Sequence, residues 1–185
     1  MFDDRVVAEY LRRSYFAADG LWFTKVEERL GFDEALRLDV EVWSILAKIQ
    51  ARKARELLGV EGGSLADLVE ALRLRFTAED YSFTVAGGPS TGSGSPRAES
   101  RGETPEHAEI EISGCPWVEL LRKSGRQELA ARVADAICPT DLGAWAREFD
   151  PAITVSFPER ICDGCGTCRV VLEVPVGAQH AAPPP

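Results

Sequence analysis

The chain has 185 residues, 45% hydrophobic and 28% charged, with a formal net charge of −9 at neutral pH. That length supports one substantial core or two small ones. So acidic a surface repels phosphate backbones and anionic lipid, which argues against nucleic-acid and membrane partners.

The opening "MFDDRVVAEY" carries acids where a secretory signal carries bases. No apolar run reaches the length of a membrane helix. The expected compartment is the cytoplasm, where disulfides are rare and clustered cysteines point to metal or redox chemistry.

Residues 1–76 read as a helical region. Val7, Leu11, Ala18, Leu21, Trp22, Val26 and Leu30 follow helical spacing, and Gly31 makes a stop. Asp33 is placed to cap a second helix, with Leu36, Val40, Trp43, Ala47, Ala54 and Leu58 on its inner face and Gly59 past its end. Within it the basic run of Lys48, Arg52, Lys53 and Arg55 reads as a solvated helix face near the negative end of the dipole. Ser64 and Asp67 form a capping-box variant opening a third helix.

The pattern then changes to a cysteine-containing region over 77–175. Alternating, β-rich stretches at 81–85 and 107–112 predict two strands. Between them, residues 87–106 are rich in Gly, Ser and Pro and read as a long mobile hairpin loop. Helices are expected at 117–124, 127–137 and 140–149, then two strands from "AITVSF" and "CRVVLEV", with 176–185 as a tail. The expected fold is α+β: a layer of about three helices, then an antiparallel four-stranded sheet with helices on one face.

All five cysteines, Cys115, Cys138, Cys162, Cys165 and Cys168, lie in this second region. The run "CDGCGTC" crowds three thiols around two glycines, which a scatter of buried core cysteines explains poorly. Cys115 and Cys138 are each followed by proline, a residue favoured at the first position of a helix. Each is therefore expected at a helix start, where the dipole favours thiolate. A shared metal site follows, with zinc leading because four thiolates make a closed tetrahedral site from distant segments. The alternative is an iron–sulfur cluster, since the run resembles the C-x-G-C-G-x-C core of bacterial ferredoxins. Their fourth cysteine falls here at Leu172.

A wider resemblance covers Asp19, Gly20, Trp22, Phe23, Val26, Glu27, Glu28, Asp39 and Trp43, then Cys115, Pro116, Cys138, Asp150, Pro151, Ile153, Cys165 and Cys168. These positions resemble an uncharacterised family of small cytosolic prokaryotic proteins. That family is itself similar to the L-2-amino-thiazoline-4-carboxylic acid hydrolases, which open a cyclic C–N bond. The resemblance implies an α+β fold and a cysteine-built site; it carries no activity of its own, and hydrolysis of a cyclic C–N bond in a small-molecule substrate is the reaction that the related hydrolases suggest.

Cys162 lies outside that wider pattern, so it is the expected spare thiol. Asp19, Glu27 and Glu28 share no single obvious helix face, and Trp22 and Trp43 read as core. His107 is the one histidine before the tail, which leaves little for a Cys–His pair; a metal-free cysteine hydrolase using Cys115 or Cys138 is the third reading.

Overall fold

The structure, a computed structural model, describes residues 2–86 and 107–175. The expected loop at 87–106 and tail at 176–185 lie outside the described residues.

Three helices come first: α1 (Asp4–Leu30), α2 (Phe32–Leu58) and α3 (Leu65–Ala78). Asp3 caps α1, its side chain accepting from the Arg5 N–H at 2.7 Å. Gly31 ends α1 at φ 84° and itself caps α2, so Asp33 sits in the first turn and not at the cap. The Ser64–Asp67 capping box opens α3 as expected. Just before it, Gly63 approaches the end of the fifth helix so closely that a β-carbon would overlap the Phe149 carbonyl oxygen.

The sheet has order β1-β2-β4-β3, with every neighbouring pair antiparallel. Its strands are β1 (Ser82–Ala86), β2 (His107–Gly114), β3 (Thr154–Glu159) and β4 (Cys168–Glu173). Period-two alternation puts Phe83, Val85, Ala108, Ile110, Ile112, Val170, Leu172 and Val155 on one face, packed into the core. Glu109, Glu111 and Arg169 occupy the other. Two further helices, α4 (Pro116–Lys123) and α5 (Ala130–Phe149), connect the two hairpins. The fold is α+β, with helices on one face of a four-stranded antiparallel sheet.

One hydrophobic core spans both sequence regions, joining Ala47, Ala51, Leu68, Leu72 and Phe76 to Ile110, Trp145, Phe149 and Leu172. Two members of the basic run on α2 reach across to the end of α5, while Lys53 pairs with Glu56 on the exposed face of α2. Arg52 pairs with Glu148 at 2.7 Å, and Arg55 donates to the Glu148 carbonyl at 2.9 Å. Among the described residues no helix is long and apolar enough to cross a membrane.

Two further expectations are corrected. The stripe of Val7, Leu11, Trp22 and Leu30 on α1 faces outward, Leu21 is exposed at the edge of a cavity, and no residue of α1 is fully buried. Apolar residues occur on several sides of α1. The side turned inward is Phe16, Asp19, Gly20 and Phe23, against a cavity and not a packed core.

The helices expected at 127–137 and 140–149 are one helix, α5, preceded by the 3₁₀ turn Gln127–Leu129, with Pro139 inside it. Proline in a helix interior costs roughly 3 kcal/mol. The burial of Ala134, Leu142, Trp145 and Phe149 on that helix outweighs it.

Candidate functional site

A cavity of about 500 Å³ lies between α1, α2, α4 and α5. That is within the range of small-molecule sites. Phe16 and Phe23 of α1, Trp43 of α2, Trp117 and Leu121 of α4, and Val133 and Ile137 of α5 form much of its wall. The Phe16 and Trp117 rings meet edge-on with centroids 4.5 Å apart, and Trp43 meets Trp117 edge-on at 5.3 Å.

Polar groups converge on this apolar shell. Arg75 sits at its base, buried, gripping Asp141 at 2.7 and 2.9 Å and Glu79 at 3.1 Å. The Trp117 indole N–H donates to Glu79 at 3.4 Å. Arg126 holds Glu27 at 2.5 Å. Asp39 and Asp19 also line the cavity. Burial, then the charge of Asp19, pushes the Asp39 carboxyl up to about 7. Burial, then Glu79, pushes Asp19 up to about 6.

Four of the five thiols come near one another, two of them on the cavity wall, and the sheet register explains how. Ile112 pairs with Cys168 across β2 and β4, so Cys168 starts its strand beside the end of β2. Three residues past Ile112 the chain leaves the sheet, and Cys115 becomes the N-cap of α4. Cys162 lies in the 3₁₀ turn Ile161–Asp163 ahead of β4, which Gly164 closes in the left-handed region at φ 92°. Helix α5 packs against that turn and against β3, which brings in Cys138. Cys115 and Cys138 line the cavity itself.

Each of Cys115, Cys138, Cys162 and Cys168 would feel the charge of the other three as thiolate. Cys165 is exposed at the tip of the turn. Cys162, the expected spare thiol, is half-buried in the same turn.

Burial pushes all four gathered thiols up, Cys138 well above the ordinary thiol range. Against burial, the N–H groups of Val118 and Trp117 and the Tyr81 hydroxyl favour the Cys115 thiolate, although no full cap hydrogen bond forms. The Ile161 N–H donates to the Cys168 sulfur at 3.1 Å. Arg160, anchored by Asp135 and Asp163 at 2.6 Å each, also favours the thiolates of Cys162 and Cys168. Cys138 has no helix start behind it, because it lies inside α5. Among the described residues no three His, Cys, Asp or Glu side chains converge closely enough to hold a metal ion as they stand.

The structure divides the acidic residues singled out on α1. Asp19 reaches the cavity, Glu27 pairs with Arg126, and Glu28 is exposed, pairing with Lys25 at 2.8 Å. Sequence reasoning missed Arg75, Tyr81, Asp141 and Trp117 as cavity residues, and noted Asp39 without placing it. A signal for Asp39 existed. Ala35, Asp39, Trp43 and Ala47 recur every four residues and are all buried, so a charge stands in the middle of an apolar stripe.

A family model described as a family of unknown function (DUF6125) matches residues 5–83. That stretch includes Asp19, Asp39, Trp43, Arg75 and Tyr81 of the cavity and none of the five cysteines. No curated protein and no solved structure matches the chain.

Proposed function

We propose that this protein binds a small molecule in the cavity between α1, α2, α4 and α5, beside a cysteine-ligated metal centre of Cys115, Cys138, Cys162 and Cys168, with zinc the leading ion. The observation behind this reading is that four thiols from three separate segments all lie within one another's electrostatic reach. Unrelated core cysteines have no reason to assemble so. Soft thiolates suit zinc or iron. A cytoplasmic location fits, because thiols stay reduced there.

The reaction class that accords with this site, and with the resemblance to thiazoline carboxylate hydrolases, is hydrolysis of a cyclic C–N bond. Zinc held by all four thiolates would be a closed centre that fixes Cys115 and Cys138 of the cavity wall and leaves water no coordination position. The chemistry falls to the chain's own residues. The aromatic wall excludes bulk water. Asp39, titrating near 7, takes or gives a proton at neutral pH. An iron–sulfur centre is the second reading, supported by the ferredoxin-like turn and the N–H bond to the Cys168 sulfur.

Elemental analysis and absorption spectra of anaerobically purified protein test this. We expect a colourless protein with one equivalent of zinc. Cobalt substitution should give strong thiolate-to-metal charge-transfer absorption. Cys115→Ser, Cys138→Ser, Cys162→Ser and Cys168→Ser should each lose metal and thermal stability together, because metal binding energy is partly folding energy. Cys165→Ser should keep both. A brown, iron-containing protein moves the assignment to the cluster, and protein that takes up neither metal overturns it.

A further inference from the structure

We propose that the cavity receives an organic cation, an amine carried on an apolar body, through Asp19 and Asp39. This rests on the cavity being the ligand site and not on the metal. The carboxylates and guanidinium groups lining the cavity are Asp19, Asp39, Arg75, Asp141 and Arg126. Both cations among them are taken. Arg75 is held bidentately by Asp141 and again by Glu79, and Arg126 by Glu27. Asp141 is satisfied by the same contact.

Asp19 and Asp39 remain, and among the described residues neither forms an ion pair. Asp39 is only 6% exposed, and the Trp43 side chain is its one hydrogen-bond partner. A carboxylate accepts about four hydrogen bonds, so most of its capacity is unused. Two carboxylates facing one cavity without a countercharge are costly to ionise, and a cation between them relieves both.

The walls agree with that charge. Phe16, Phe23, Trp43 and Trp117 surround the space, and aromatic faces attract cations. Leu121, Val133 and Ile137 supply apolar surface for the rest of the ligand. An anionic ligand meets the opposite situation, because both guanidinium groups are already committed.

The test titrates the as-purified full chain with 2-phenylethylamine, its neutral counterpart 2-phenylethanol, and 3-phenylpropanoate. Calorimetry and the quenching of tryptophan fluorescence report binding. The amine should bind at least about tenfold more tightly than the alcohol, the size expected of one charge-assisted contact. The acid should bind more weakly than either. Asp39→Asn and Asp19→Asn should each weaken the amine by about tenfold while leaving the alcohol unchanged. If Asp39→Asn does not fold, Asp19→Asn on the cavity wall decides alone.

Equal binding of amine and alcohol, tighter binding of the acid, or no binding of any probe overturns the proposal. Metal content measured on the same samples separates the two readings. Amine selectivity in a metal-free protein removes the metal centre only, and absent selectivity in a zinc-loaded protein removes the cation site only.

Discussion

Asp39 lies where the buried stripe of α2 meets empty space, and its energetics can be read from pH alone. Its folded pKa of about 7 is above the 3.8 ordinary for an aspartate, with burial the main cause and Asp19 the second. A raised folded value means that stability is fully present below about pH 4 and is lost as pH rises through about 7. The loss arises because the unfolded chain ionises first. Asp19 adds a similar slope ending near pH 6. Asp39→Asn should therefore gain on the wild type by about 1–3 kcal/mol between pH 4 and pH 8. Urea unfolding at pH 4.5, 6 and 8 measures it. Identical pH slopes in the two proteins would show that Asp39 is solvated and not held in the cavity wall.

At the scale of elements, the readable parts were those governed by local chemistry. The Ser64–Asp67 box, the glycines after α1 and α2, and the alternation in β2 each fix their element from a few neighbouring residues. What failed depended on distant packing. Pro139 reads locally as a helix start, yet α5 runs through it because Trp145 and Phe149 on one side and Ala134 on the other are buried in the same layer. That error placed Cys138 at a helix N-terminus it does not have. The inward side of α1 was unreadable for a related reason, since a helix wall against a cavity buries little. The cysteines themselves were legible as a group from composition, but which four gather follows from the Ile112–Cys168 register and the packing of α5.

Pro139→Ala restores the N–H missing inside α5 and removes the clash with the preceding turn. It should raise unfolding free energy by about 1–3 kcal/mol and leave metal content unchanged. A loss of stability would mean that the segment is two helices after all.

The whole molecule is tied through Arg75, which reaches from α3 to Asp141 of α5, and through Glu79 to Trp117 of α4. Its guanidinium also lies 5.7 Å from the Trp43 ring centroid and 5.3 Å from that of Trp145. One buried cation thus joins α2, α3, α4 and α5 at the base of the cavity, beneath the sheet-covering core. Removing it leaves two buried carboxylates, Asp141 and Glu79, without a countercharge. Removing the Asp141 charge leaves Arg75 with Glu79 still beside it. The two substitutions are therefore unequal. Arg75→Met should cost about 3–5 kcal/mol, the usual penalty for orphaning a buried charge. Asp141→Asn should cost clearly less, and the double variant less than the sum of the two, because the groups share one network. Urea denaturation of the four proteins closes this cycle. Additive costs, or an Arg75→Met variant as stable as the wild type, would mean that apolar packing alone joins the helices and that the arginine is incidental to the cavity floor.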